Sequence, residues 1–272
     1  MPIKADYHLH SSFSGDSATP MEDMIQKGIQ LGLDTMCFTE HMDKDYPPVL
    51  EGTDINFEVD TPAYYKDFLK YKKIYSEEIK LLFGVELGLQ PHLIKENTLY
   101  ASQYSFDFII GSSHICHGID PYMPEFYTNR TEEEAYMEYF KSILENIKVF
   151  NNFDIYGHLD YVVRYGPNKD INYHVSEYHE IFDEILTALI QKGKGIEINT
   201  GGLGKGLKDV HPASEIVKRY KELGGEIITV GSDAHFPERI AQHFSRAEEV
   251  LLDSGFRYYT IFENRVPKMV KL

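Results

Sequence analysis

The stretch Ala5-Asp6-Tyr7-His8-Leu9-His10-Ser11-Ser12-Phe13-Ser14-Gly15-Asp16-Ser17 decides how the rest of the chain is read. If residues 4–8 run on as a strand, His8 and His10 point to the same side, because side chains repeat every two residues along a strand. Two imidazoles so placed suit one metal ion. Asp16 comes after a short Ser/Gly loop that can fold it back over the same site, and the first helix signal comes only at Thr19. A His-x-His alone is equally a strand end with two surface histidines, so its weight depends on the company it finds in the rest of the chain.

Working outward, short apolar runs alternate with longer helical segments, the pattern of a mostly parallel sheet with crossover helices. Thr19, Pro20 and Glu22 predict a capping box, with Gly32 ending that helix. Strands are predicted at 35–39, 81–85, 106–111, 154–157, 195–198 and 226–230. A long acidic loop is predicted over 42–60, and a helix beginning at Thr61 and Pro62 carries Tyr64, Phe68, Tyr71 and Tyr75 on one packing face. Further helices are read at 91–103, from the Thr131/Glu134 capping box to about Phe150, from Ser176 to Gly193, over 212–223, and from a Ser245/Glu248 box to Gly255. A final strand is placed at 257–262.

Metal-competent side chains fall at the carboxyl ends of these strands. His8, His10, His41, Glu86, His114, His158, Asp233 and His235 come from six different strands. Barrel enzymes build their sites on that one face, from the ends of several strands. His92, His174, His179, His211 and His243 do not fit the pattern and receive no role. Imidazole and carboxylate donors without thiolate suit Zn, Mn or Fe in an open, catalytic site rather than a closed structural zinc. Six histidines with Asp16, Glu86 and Asp233 exceed one ion's needs and suit two or three. Neighbouring divalent ions that share a hydroxide serve phosphate-ester hydrolysis.

The whole chain bounds the partners. Its 272 residues fit one barrel-type domain spanning 1–272. Twenty-seven basic against 43 acidic residues give a formal charge of −16, and the pI is about 5.1. That balance repels nucleic-acid backbones and anionic membranes, so neither is expected as a partner. No signal-peptide run or membrane-length apolar segment occurs, and the expectation is a soluble, cytoplasmic protein. Cys37 and Cys116 are expected as reduced thiols. Oligomeric state is not readable from the sequence.

In chain order, His-Leu-His at His8, Asp16, Thr-Glu-His at His41, Gly-Val-Glu at Glu86, Ser-Ser-His at His114, Gly-His-Leu-Asp at His158 and Gly-Ser-Asp-Ala-His at Asp233 resemble the motifs of the polymerase and histidinol phosphatase (PHP) superfamily. Gly-His-Leu-Asp-Tyr-Val-Val-Arg-Tyr and Glu-Ile-Asn-Thr-Gly-Gly-Leu look like its histidinol-phosphate phosphatase branch. The resemblance covers nearly the whole chain. It implies a distorted seven-stranded (β/α)7 TIM-like barrel with a trinuclear centre. By the same resemblance His8, His10, Glu86 and Asp233 hold one ion, Glu86, His114 and His158 a second, and Asp16, His41 and His235 a third. Asp16 stands where other superfamily members carry His.

The reaction so implied is hydrolysis of L-histidinol phosphate, a step of histidine biosynthesis, by a hydroxide bridging the metals and held partly by Glu86 and Asp233. Asp160 and His117 are candidates for shuttling the leaving-group proton, or for orienting a ligand. Arg164 is the main phosphate or substrate anchor, since guanidinium matches phosphate bidentately. Lys205, Arg130 and Arg239 are weaker anchors with a surface ion pair as the other reading. Asn199 is equally a substrate contact and a loop brace, and His117 is a further candidate substrate contact. The loop from Thr200 to Gly206 is equally a turn and a substrate contact, lacking the spacing of a nucleotide fingerprint. Two other readings stay open: another phosphoesterase of the fold, nucleotidase or nuclease, and a non-catalytic metal-stabilised module.

Overall fold

The structure, a computed structural model, describes residues 3–47 and 55–272. Seven strands form one parallel sheet in sequence order: β1 (Ala5–Leu9), β2 (Thr35–Met42), β3 (Lys80–Gly88), β4 (Phe108–Ser112), β5 (Ile155–Tyr156), β6 (Gly195–Asn199) and β7 (Ile228–Gly231). The sheet curls until its first and last strands meet. Leu9 bridges Ala234 in parallel, His10 N donates to Ala234 O at 2.9 Å, and Asp233 N donates to His8 O at 2.9 Å. The result is a nearly closed barrel with helices between the strands.

Both faces of the strands are covered, so they read as continuous apolar runs rather than alternating ones. β2 is buried along its whole length. Helix α1 (Met21–Gln30) turns Met21, Met24, Ile25 and Gly28 inward. Gly28 is required there, since a Cβ would stand 2.1 Å from Met36 Sδ. α2 (Thr61–Ile74) is capped by the Asp60 side chain and buries Tyr64 and Phe68, while Tyr71 and Tyr75 pack half-buried against the same core. α3 (Ile94–Gln103) comes after a 3₁₀ turn. α4 (Glu132–Val149) has the predicted box: Glu134 N donates to Thr131 Oγ1 at 3.1 Å and Thr131 N to Glu134 Oε2 at 2.8 Å. α5 (His179–Gln191), α6 (Ser214–Glu222) and α7 (Phe244–Asp253) complete the ring.

Several sequence expectations are corrected. Thr19 does not cap α1, which starts after Pro20 with no side-chain cap; its hydroxyl instead donates to His235 O at 3.0 Å, tying the first loop to the last site loop. Ser245 does not cap α7, which starts after His243 in a left-handed conformation. Ser176 lies in a 3₁₀ turn ahead of α5. β2 and β3 run further than predicted, so His41 and Glu86 lie within strands and face each other in register. Of the predicted 42–60 loop, 48–54 lie outside the described residues. The described return folds back beside β2, with Asp43 N donating to Phe57 O at 2.9 Å and Val59 N to His41 O at 3.1 Å.

The chain ends in a hairpin where only one strand is predicted: β8 (Tyr258–Glu263) pairs antiparallel with β9 (Val266–Lys271). It closes the amino end of the barrel. Phe262 packs 5.1 Å from Phe108, and Tyr7 OH, rising from β1, donates to Phe262 O at 2.8 Å. Cys37 and Cys116 are buried free thiols. Among the described residues no helix is long and apolar enough to cross a membrane.

Candidate metal centre

At the carboxyl end of the barrel the nine predicted ligands converge on Glu86, which rises from β3 at the middle of the strand array. Its Oε2 lies 3.1 Å from His8 Nε2, 3.5 Å from His10 Nε2 and 3.1 Å from His41 Nδ1. Its Oε1 lies 2.8 Å from His158 Nε2 and 3.2 Å from His114 Nε2. The carboxylate thus has an imidazole cluster at each oxygen. Asp233 Oδ1 stands 3.7 Å from His8 Nε2 and 3.6 Å from His10 Nε2. Asp16 joins the outer side, 3.6 Å from His41 and 3.0 Å from His235. Asp233 holds a left-handed backbone (φ 55°), a conformation unusual for a non-glycine residue and found where the fold over-determines a functional position.

Buried polar atoms ordinarily have hydrogen-bond partners. Here His8 Nε2, His10 Nε2, His41 Nδ1, His235 Nε2 and Glu86 Oε2 are buried without one, although they crowd together. Nitrogen lone pairs aimed at shared carboxylates form an arrangement that divalent cations neutralise, so the donor set fits such ions. Four overlapping groups of three donors have their ligand atoms within 4.8 Å of one another: His10/His41/His235, His8/His10/Asp233, His8/Glu86/His158 and His41/Glu86/His114.

The protein field agrees with this geometry. Burial opposes ionisation of Glu86 and Asp233, yet His8 with His114 for the first, and His8 with Arg164 for the second, hold both carboxyls well below the usual range. Burial disfavours charge on His10, and the neighbouring His41 and His235 push it further down, so its ring stays neutral with a lone pair to give.

Partners beyond the ligands fix their orientation. Glu197 Oε1 accepts from His8 Nδ1 at 2.7 Å, leaving Nε2 free to face Glu86, and Glu197 Oε2 accepts from His158 N at 3.1 Å. Asp43 Oδ1 accepts from His114 Nδ1 at 2.8 Å. Glu40 accepts from Ser11 and Ser14, bracing the loop that carries Asp16. Sequence reading missed all three. Glu197 had one signal, a charge between two isoleucines in an otherwise apolar strand. Asp43 sits two residues beyond His41 in a loop where acids are common.

Seven of the ligands, Asp16, His41, Glu86, His114, His158, Asp233 and His235, line a cavity of about 250 Å³. Tyr46, Phe57, Tyr122, Tyr161 and Tyr165 supply aromatic walls, with Asp43, Asp120, Arg164 and Lys205 as charged groups. Arg164 is buried, and its Nη1 and Nη2 each donate to Asp233 Oδ2 at 3.2 Å, leaving Nε unpartnered.

Other predicted residues are engaged elsewhere. His117, expected as a proton shuttle or substrate contact, is half-exposed and is not among the residues lining the cavity, its ring nitrogens 3.1 Å from Glu138 and from Glu145 on α4. Asp160 is committed to holding the next loop: His211 Nδ1 donates to one oxygen at 2.5 Å and Ala213 N to the other at 2.8 Å. Asn199 is buried and braces its own turn, donating to Glu197 Oε2 at 3.3 Å and accepting from Gly201 N at 2.9 Å. Arg130 pairs with Glu138, away from the cavity. His211, given no role from sequence, is the buried partner of Asp160.

The PHP domain model matches residues 6–201. The histidinol-phosphatase of Lactococcus lactis subsp. lactis is 35% identical over 260 residues, covering 95% of this chain and 94% of that protein. A probable histidinol-phosphatase of Clostridium acetobutylicum is 33% identical, covering 97% and 98%. The crystal structure of histidinol phosphate phosphatase from L. lactis subsp. lactis, complexed with Zn, L-histidinol and phosphate, superposes with a TM-score of 0.88 at 33% identity, covering 98% of this chain and 99% of that one. Fold, motif order and these similarities agree: the chain belongs to the PHP domain family, in its histidinol-phosphatase branch.

Proposed function

We propose that the protein hydrolyses L-histidinol phosphate to L-histidinol and inorganic phosphate, with two to three divalent ions (Zn, Mn or Fe) held by the nine residues that converge on Glu86. The observation that carries this is the crowd of buried, unpartnered imidazole nitrogens around one carboxylate on the floor of a small-molecule cavity. Ions bound there supply Lewis acidity toward the phosphoryl oxygens and a water acidic enough to attack at neutral pH. His8, His10 and His41 stand beside Glu86 Oε2 and His114 and His158 beside Oε1, with Asp233 against His8 and His10 and Asp16 with His235 on the outer side. Glu86 and Asp233 would hold such ions and accept a hydrogen bond from a water bound there.

Arg164 fixes Asp233 through both Nη groups and, with Lys205, brings positive charge to the cavity lining for the phosphoryl group. The acidic and aromatic wall of Asp43, Asp120, Tyr46, Phe57, Tyr122 and Tyr165 suits an imidazole and an ammonium group, which a cationic amino alcohol carries and a nucleotide does not. A cytoplasmic location and one domain over 1–272 belong to the same proposal. Nucleic acid remains disfavoured by the charge of −16.

The test compares initial rates on histidinol phosphate, nucleoside monophosphates and short single-stranded DNA. Histidinol phosphate should be preferred and chelation should abolish the rate; faster hydrolysis of either nucleotide substrate would replace this reading with a nucleotidase or nuclease.

A further inference from the structure

Beside the metal cavity lies a second cleft, sharing with it Asp16, Asp233, His235 and Lys205 and adding Arg239 and Phe236 on its outer wall. Its charges divide unequally. The carboxylates at its inner edge are already engaged, Asp16 with His41 and His235, and Asp233 with Arg164. The two cations on its outer side are not. Arg239 donates to the neutral amide of Gln242 at 2.6 Å and lies over the Phe236 ring, while Lys205 stands 5.9 Å from the Tyr165 ring. Among the described residues neither has a carboxylate within ion-pair distance. In a chain where acids outnumber bases 43 to 27, these two cations without ion-pair partners make the outer wall the basic side of a cleft whose inner edge is acidic.

The glycine-rich loop that the metal chemistry does not use builds this cleft. A Cβ on Gly204 would stand 2.0 Å from Arg239 Nη1, and one on Gly201 would stand 3.2 Å from Asp233 Oδ2. The glycines therefore let the loop lie directly against the guanidinium on one side and the metal centre's carboxylate on the other. This accounts for a motif that reads as a phosphate cradle without a nucleotide fingerprint: its backbone makes room for an arginine.

We infer that the outer, basic side of this cleft is a phosphate-dianion subsite bordering the metal centre, the station through which inorganic phosphate leaves after hydrolysis. The inference rests on the phosphatase reading of the metal centre. An amino alcohol held at the aromatic side of the cavity would leave free the side cleft, which shares Asp16 and His235 with the metal cavity and carries the two cations.

Inorganic phosphate is titrated calorimetrically into metal-free protein, dialysed clear of chelator, for the unaltered chain, Arg239→Gln and Gly204→Ala. Gly204→Ala keeps every charge and meets only the tip of a flexible side chain, so the fold survives while the guanidinium is displaced. Both variants should weaken phosphate binding by roughly 3- to 10-fold, the range of one solvent-facing charged contact. In the metal-loaded enzyme the product-inhibition constant for phosphate should rise by a similar factor, and by more than kcat/KM for the ester falls. Equal phosphate affinity in all three proteins would overturn the subsite. A fall in kcat/KM with an unchanged inhibition constant would overturn the exit role and make the cleft an entry point. Absence of histidinol phosphate turnover in the unaltered enzyme would sink the phosphatase reading while leaving the metal-free titration intact.

Discussion

The two ends of the barrel solve opposite problems. At the amino end, charge and polarity are paired off: Arg265 of the closing hairpin bonds Asp154, Lys80 Nζ donates to Glu263 Oε2 at 2.6 Å, Asp107 accepts from Phe83 N at 3.0 Å and Asn264 N at 3.1 Å, and Tyr7 bonds Phe262. At the carboxyl end, imidazoles and carboxylates crowd together with polar atoms left unpartnered. A sequence that satisfies its hydrogen bonds almost everywhere else leaves them open where chemistry is done. The plugged end supplies stability, and the open end spends part of it on keeping ligand atoms in place.

Altering Glu86 should break the comparison most severely. Glu86→Gln keeps the shape but removes the charge shared by both imidazole clusters. The expected result is loss of metal and a fall in rate beyond the roughly 10- to 100-fold that removal of an outer partner costs. Near-normal turnover in a metal-replete variant would move the centre away from Glu86.

The converse substitution is Phe262→Ala at the plug, which removes a buried ring packed on Phe108. Thermal or denaturant unfolding should register a loss of about 3–5 kcal/mol, the range for large-to-small core changes, with metal content and kcat per folded molecule retained. A loss of metal without a loss of stability would mean that the two ends are not separable.

A smaller effect is expected at Glu197, which reaches the site only through His8 and His158. In Glu197→Gln the amide oxygen is needed by His158 N, so the amide nitrogen faces His8 Nδ1 and drives the imidazole proton to Nε2, the atom that faces Glu86. Metal affinity should fall by about 10- to 100-fold with the fold unchanged. An unaltered affinity in a metal titration would show that Glu197 does not set the tautomer.

Most of the ligand set is legible in the sequence because strand periodicity and strand ends are local signals: His8 and His10 two apart, Ser-Ser-His and Gly-Ser-Asp-Ala-His each just past an apolar run. The Thr131 box is legible for the same reason. What escapes depends on contacts between distant segments. Glu197 acquires its role only when β6 lies beside β5 and barrel closure brings His8 of β1 within its reach, and β9 forms where the barrel bottom offers β8 a surface to fold against. Thr19 and Ser245 have capping chemistry, but the first is taken by His235 O, and α7 starts one residue before the second. Asp160 and His117 sit near ligands in sequence and point elsewhere in space, one to His211 and one to α4.

The central claim is a centre holding more than one ion around Glu86, and elemental analysis of the active enzyme tests it most directly. Two to three divalent ions per chain are predicted, with activity lost on chelation and restored on readdition. Full activity with fewer than two ions per chain would contradict the account.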